Sequence, residues 1–201
     1  MKGLIYENFY ILKKQFMLSF ILLFICGIMS VVISPYIFYA MSTILVSMLP
    51  ITAMVYENES KLTKVIITMP VDRKDFVKSK YISTFILGII NFIINLLFML
   101  ITTRNGLQSL IFSTISFLIG MTVMNIMFPL IFKFGVEKAK FILGCILMSF
   151  FTICYILYKF REFLPTISQF YILFAIIFVP AVIFFISYKL SIKFFNETEI
   201  N

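Results

Sequence analysis

Charged side chains, the groups that carry most protein chemistry, concentrate in this chain between residues 56 and 80. Residues 56–81 read YENESKLTKVIITMPVDRKDFVKSKY and combine four carboxylates with six basic groups. The whole sequence contains no histidine, which removes the commonest general base and the commonest metal ligand. The segment therefore favours recognition over catalysis, and we predict no catalytic, metal-binding or cofactor-binding residue on this chain.

An apolar stripe runs through the first part of this segment. Its members recur at i, i+3, i+4 and i+7, the spacing of one face of a short α-helix. They are Leu62, Val65, Ile66 and Met69. Pro70 ends this helix, because its ring clashes with the preceding turn, and Asp72 can cap a second helix. Two interpretations stay open: a solvated loop whose stripe lies on the inner leaflet, or a helix that docks onto a soluble partner.

The elements that hold this segment are apolar and long. Hydrophobic residues make up 62% of the chain, and the mean hydropathy is +1.07, well above a soluble domain. Six stretches without a charged residue are long enough to cross a bilayer. They are residues 16–33, 36–55, 81–101, 109–132, 141–158 and 168–188. We therefore expect an all-α membrane protein with six transmembrane helices, and the net charge of +8 indicates loops facing the cytoplasm, not nucleic-acid binding.

The distribution of basic residues predicts the orientation. Fourteen of the seventeen Lys and Arg residues lie in the N-terminal segment, in the two loops after the second and fourth spans, and at the C-terminus. Cytoplasmic loops carry such an excess, so we expect both termini in the cytoplasm. In residues 1–15 apolar side chains recur at helical spacing, with Lys2, Lys13 and Lys14 around them. This pattern predicts an amphipathic helix in the membrane interface, in contact with lipid.

Small and polar residues share one face of the third predicted span. They are Thr84, Gly88, Asn91 and Asn95, and Asn125 follows in the fourth span. Amides and hydroxyls at such positions hydrogen-bond between packed helices, and glycine permits close approach. The alternatives are the wall of a pathway through the bundle or the interface with a partner membrane subunit.

Two loop segments resemble the signatures of small ABC-2 type permeases, the membrane subunits of ATP-binding-cassette transporters. Residues 69–81 (MPVDRKDFVKSKY) resemble the "P-V-x-R … K-Y" pattern, and residues 129–140 (PLIFKFGVEKAK) resemble "P … K-F-G-x-E-K-A". The span number and the expected interfacial helix agree with this family. The resemblance implies a single ABC-2 permease domain over residues 1–201, with a coupling segment at 56–80.

The resemblance also implies partners and positions. In this family the helix between spans two and three docks into a groove of the ATPase subunit, which holds ATP and magnesium. Carried over by position, the docking surface consists of Glu57, Glu59, Lys61, Leu62, Val65, Ile66, Met69, Pro70 and Arg73. The second cytoplasmic loop contributes Lys133, Gly135, Glu137 and Lys138. A second copy, or a related permease, completes the membrane part.

These features predict an exporter subunit in a bacterial cell membrane. The spans contain no ionisable group that ion coupling usually requires, and no GxxxxGK[ST] loop binds ATP, so the energy must come from a partner. The short outer segment at residues 159–167 favours the compact peptide and lantibiotic-related branch over polysaccharide export. We expect a hydrophobic or amphipathic substrate, such as an antimicrobial or cytolytic peptide. The alternatives are a bacteriocin-immunity or sensor-associated membrane subunit, or a secondary carrier or channel.

Overall fold

A computed structural model describes residues 2–32, 34–59, 73–159 and 169–197 of the chain. Within these ranges the chain forms six α-helices and no β-strand. They are α1 (Lys2–Val32), α2 (Pro35–Glu59), α3 (Arg73–Thr103), α4 (Gly106–Phe134), α5 (Val136–Lys159) and α6 (Gln169–Glu197). The all-helical prediction is thus confirmed for the described ranges.

Several helices are long and apolar enough to cross a membrane. By length and composition these stretches are Tyr36–Glu57, Lys74–Thr103, Gly106–Phe134 and Phe178–Phe195, and α1 adds a fifth if its two bent halves are one span. Large apolar side chains such as Phe20, Phe24 and Phe185 point outward, as expected where lipid replaces water. The chain is therefore a multi-pass membrane protein, while the number of six spans stays a prediction.

Helix α1 bends by 62° between Tyr6–Lys13 and Gln15–Val31. The bend falls at the predicted boundary between the interfacial helix and the first span. The first half buries Leu12, packs Phe9 against the core, and leaves Tyr6 and Tyr10 exposed. Its apolar side thus rests on the protein, and its position in the membrane interface stays a prediction.

The turns between helices are shorter than the sequence predicted. The expected loop at 102–108 contracts to Arg104 and Asn105, and the one at 133–140 contracts to Gly135. Lysine and glutamine are good helix formers, so the helices continue past the apolar spans into charged sequence. Arg104 (φ 54°) and Gly135 (φ 79°) reverse the chain with left-handed backbone angles. Gly135 also has ψ 170°, a combination that is essentially restricted to glycine.

Helix α4 lies at the centre of the bundle and packs against α2, α3, α5 and α6. Helix α1 packs on the outer side of α2 and α3. One buried cluster gathers Met54, Phe76, Phe128 and Phe195 from α2, α3, α4 and α6. A second joins Leu12, Leu23, Phe38 and Leu87 of α1, α2 and α3. The helices that flank residues 60–72 therefore take part in both clusters.

A proline in α4 creates a specific link to α6. Pro129 has no N–H, so the carbonyl of Asn125, four residues earlier, loses its usual helical donor. The hydroxyl of Ser187 in α6 donates to that carbonyl. Freed backbone groups in membrane helices need such substitutes, because lipid offers none.

The same hydroxyl belongs to a longer chain that includes α3. The Tyr81 hydroxyl lies 2.5 Å from Ser187 Oγ and 2.9 Å from Ser191 Oγ. Ser187 has one proton, which it gives to the Asn125 carbonyl, so it must accept from Tyr81. Tyr81 then accepts from Ser191. This directional chain fixes α3, α4 and α6 at one level.

Helix α3 packs closely on α4 at Gly88, which has no side chain. A Cβ atom on Gly88 would lie 2.9 Å from Phe117 Cε2 and 3.2 Å from Met121 Sδ, whereas one on Gly120 would meet Thr43 Cγ2 at an ordinary 3.5 Å. Overpacking of this kind costs about 1–3 kcal/mol.

We predict that Gly88→Ala lowers the free energy of unfolding in detergent by about 1 kcal/mol or more, while Gly120→Ala leaves it equal or slightly higher. Equal effects of the two variants would contradict this packing.

Candidate functional site

The two helices that enter and leave residues 60–72 are joined by a buried ion pair. The Lys80 ammonium of α3 donates to Glu57 Oε1 of α2, across 23 positions of sequence. Both residues are 3% exposed. The helix ends on either side of the predicted coupling segment are therefore held together from inside.

A third residue brings the N-terminal helix into the same contact. Lys80 Nζ also donates to Asn8 Oδ1 at 2.5 Å, and Asn8 is buried as well. The Phe76 ring lies beneath the ammonium, 5.0 Å from its centroid, within the range of a cation–π contact. We call Asn8, Glu57 and Lys80 the Lys80 junction; it connects α1, α2 and α3.

The buried charges of the Lys80 junction are tolerated only when all of its members are present. Removing an ammonium and a carboxylate from water costs several kcal/mol for each ion, and their attraction offsets this only with good hydrogen-bonding geometry. Here the ammonium has a carboxylate, an amide oxygen and an aromatic face. Loss of one charge would remove the compensation for the other in a buried site, so the pair stabilises one particular arrangement of the three helices.

The structure places only part of the predicted docking surface. Glu57 turns inward to Lys80, so its carboxylate has a partner inside the chain. Glu59 and Arg73 are the last residue of α2 and the first of α3, and their side chains are outside the description. The remaining predicted docking residues fall outside the described ranges: Lys61, Leu62, Val65, Ile66, Met69 and Pro70. The docking role of the set stays a prediction.

The second predicted loop is a one-residue joint between α4 and α5. Lys133 is exposed and its ammonium lies 5.0 Å from the Phe134 ring and 4.9 Å from the Phe194 ring. The Gly135 N–H bonds the Ile131 carbonyl at 2.9 Å. Glu137 occupies the first turn of α5, where its charge is favourable to the helix dipole, and Lys138 is exposed beside it. This joint leaves three charged side chains accessible at the α4–α5 corner.

The polar face of α3 contacts two helices through Asn95. Its Oδ1 accepts from Ser42 of α2 at 2.7 Å, and its Nδ2 donates to Ser116 of α4 at 3.1 Å. Ser116 Oγ lies 2.5 Å from Thr43 Oγ1. Asn95 is 0% exposed, so its amide links α2, α3 and α4 in the apolar interior.

The other residues of this face have different surroundings. Thr84 donates to its own helix, to the Lys80 carbonyl at 2.8 Å, and Gly88 meets Phe117 of α4. Asn91 is buried, and its Oδ1 has no hydrogen-bond partner among the residues that the structure describes. Asn125 is buried in α4 and presents its carbonyl to Ser187. The predicted roles as helix interface or pathway wall stay open for these positions.

Sequence reasoning missed the internal role of Lys80 and Asn8. Lys80 was counted among the loop cations and Asn8 was not singled out. One signal existed: Glu57 and Lys80 are the charged residues next to the ends of two consecutive apolar spans, which places them at one depth. In the described ranges no three acidic or cysteine side chains are grouped as metal ligands.

Comparison with known proteins gives one match. The family described as "ABC-2 family transporter protein" matches residues 3–196, which include the Lys80 junction, the predicted coupling segment and the α4–α5 joint. No curated protein and no solved structure shows significant similarity to the chain.

We predict that breaking the buried ion pair of the Lys80 junction lowers the free energy of unfolding far more than breaking an exposed ion pair. Lys80→Met removes the ammonium that compensates the buried Glu57 carboxylate, which should lower the free energy of unfolding by about 3–5 kcal/mol. The double variant Glu57→Leu/Lys80→Met removes both charges and should recover most of this loss. Detergent-based thermal or chemical unfolding provides the measurement.

An exposed pair in α6 supplies the matched control. Lys193 and Glu197 are 3.9 Å apart, with side chains 67% and 58% exposed. Lys193→Met should change the free energy of unfolding by no more than about 0.5 kcal/mol. The assignment of the junction is wrong if Lys80→Met is as mild as Lys193→Met, or if the double variant is no better than the single one.

Proposed function

The chain belongs to the ABC-2 family of transporter proteins, and from this premise we propose that it is the transmembrane permease subunit of an exporter powered by a separate ATPase. The observation that carries the proposal is the family match over residues 3–196. The multi-pass helical bundle agrees with it. We place the chain in a bacterial cell membrane with both termini in the cytoplasm.

The arrangement of segments supports this orientation. The Lys80 junction, the Lys133–Phe194 contact and the Phe76–Phe195 stack gather the N-terminal helix, the end of α2, the start of α3, the α4–α5 joint and the end of α6 at one end of the bundle. At the other end, Tyr36 contacts Gln108 and Phe112. The described parts of the four segments that are rich in Lys and Arg thus lie at one end, which we assign to the cytoplasm.

We propose that the ATPase acts on residues 56–80. Its docking surface would include the acidic side chain of Glu59 and the apolar stripe that begins at Leu62. ATP-driven closure of the ATPases would push this segment, and both of its flanks enter helices held by the Lys80 junction. The push would therefore move α1, α2 and α3 together. ATP and magnesium would remain on the ATPase, because the sequence has no phosphate-binding loop.

A hydrophobic or amphipathic substrate suits this bundle best. The connection at Arg104–Asn105 and the turn at Ser34 are short, and they offer little surface to a hydrophilic cargo. The residues of the last outer segment, 159–167, fall almost wholly outside the described ranges. We propose export of an antimicrobial or cytolytic peptide through a pair of permeases, formed by two copies or by this chain and a relative.

A second candidate function is a membrane subunit without transport, such as a bacteriocin-immunity or sensor-associated protein. It would share the bundle but bind its partner without ATP hydrolysis. Co-purification separates the two candidates, because only the permease requires an ATP-binding-cassette ATPase.

The test is purification of the tagged chain from its native membrane in mild detergent. We expect an ATPase to co-purify with the wild type, and the double variant Glu59→Lys/Leu62→Asp to lose it and to lose transport. Glu197→Lys reverses an exposed charge at the end of α6 and should retain both. The thermal unfolding of each variant, measured alongside, verifies the fold.

Two results would overturn the assignments separately. If the wild type brings down no ATPase, the permease proposal fails and the non-transport candidate replaces it. If the ATPase co-purifies but the double variant still holds it, the permease proposal stands and the docking surface lies elsewhere.

A further inference from the structure

A small cavity of about 20 Å³ lies between α2, α3 and α4. It is lined by Val46 and Pro50 of α2, Asn91 of α3, and Met121 and Met124 of α4, among others. A cavity that admits one water-sized sphere needs about 10–15 Å³ on this measure, and a water that stays there needs polar partners. The size therefore fits a single water molecule, and the question is whether the walls supply partners.

The side chain of Asn91 is one such partner. Asn91 is 4% exposed, and its Oδ1 has no hydrogen-bond partner within the described chain. An amide oxygen that is left without a hydrogen bond in an apolar interior costs about 1–3 kcal/mol of stability. Asn95, one turn further along the same face, has both amide atoms bonded. The unpaired amide oxygen thus belongs to a residue that lines the cavity, and a water there can donate a hydrogen bond to it.

Pro50 supplies the second partner. It has no N–H to give to the carbonyl of Val46, four residues earlier, and Val46 lines the same cavity. The neighbouring hydroxyls are used elsewhere: Ser47 donates to the Ile44 carbonyl at 3.0 Å and Thr52 to the Leu49 carbonyl at 2.8 Å.

A comparison with Pro129, the proline inside α4, shows what is missing at Pro50. At Pro129 the freed carbonyl of Asn125 receives the Ser187 hydroxyl. At Pro50 no side chain of the described residues donates to the Val46 carbonyl. Ordered water is one of the substitutes that membrane helices use for such groups.

We propose that this cavity is a binding site for one water molecule, which donates one hydrogen bond to Asn91 Oδ1 and the other to the Val46 carbonyl. Both acceptors then have partners, and the water links α2 beside Pro50 to α3. The proposal concerns the resting bundle and does not depend on transport.

Two buried methionines, Met121 and Met124, line the cavity and make the water detectable. Hydroxyl radicals produced by X-ray radiolysis of a bound water oxidise the methionine beside it to the sulfoxide. Met124 is 2% exposed and lines the cavity, whereas Met127 and Met99 are 1% and 0% exposed and are not among its lining residues. Met127 and Met99 are therefore matched controls of equal burial.

The experiment irradiates the purified full chain in detergent and measures each methionine by mass spectrometry. We expect Met124 to be oxidised several-fold faster than Met127 and Met99. Asn91→Leu removes one partner and fills the space, and should reduce Met124 to the rate of the controls. Pro50→Ala restores the N–H to Val46 without adding bulk, and should also reduce Met124 oxidation.

The Pro50→Ala variant keeps the test decisive if Asn91→Leu does not fold. The proposal is overturned if Met124 in the wild type reacts no faster than Met127 and Met99. It is also overturned if Met124 reacts faster but neither Asn91→Leu nor Pro50→Ala slows it, since the radicals then come from another source.

Discussion

The structure depends on one constraint of the hydrocarbon layer: a backbone carbonyl or amide there finds no partner in lipid and must find one in the protein. Regular helices meet this constraint alone, and each proline breaks it at one carbonyl. In α4 the break at Pro129 recruits Ser187, and through it Tyr81 and Ser191. A local defect in one helix thereby becomes the point at which three helices are aligned.

The Lys80 junction answers a related constraint, for charge instead of backbone. A buried ion pair often contributes no more stability than apolar side chains of the same volume, but an incomplete pair is costly. Its effect is therefore specificity: α2 and α3 have one favourable alignment, with Lys80 opposite Glu57, and Asn8 adds the position of α1. This alignment fixes the two ends from which residues 60–72 depart. Whatever conformation that segment takes with a partner, its attachment points are set by the interior.

The sequence predicts the helices well, and the reason is that lipid imposes the same rule on every turn. Over the residues that the structure describes, each apolar stretch lies within a helix, and the described parts of the basic segments meet at one end of the bundle. The helix ends were placed too early, because hydropathy marks the edge of the apolar layer while helices such as α4 continue through Lys133. The contact partners of the buried polar side chains could not be predicted from the sequence. Lys80 and Asn8 are 72 positions apart, and Ser187 is one of many serines in apolar sequence. Periodicity indicates the face on which such a residue lies but not the residue opposite.

Helix α2 shows how these contacts divide the bundle. Ser42 and Thr43 join it to Asn95 and Ser116 at one level, and Glu57 joins it to Lys80 at another. Pro50 lies between the two, where the helix lacks a backbone hydrogen bond and borders a small cavity. The same stretch is otherwise buried, with Leu49 and Ala53 in one core cluster and Ile51 in the other. Helix α2 is thus fixed by polar contacts at two levels and by apolar packing between them, and the missing N–H of Pro50 interrupts only its backbone hydrogen bonds.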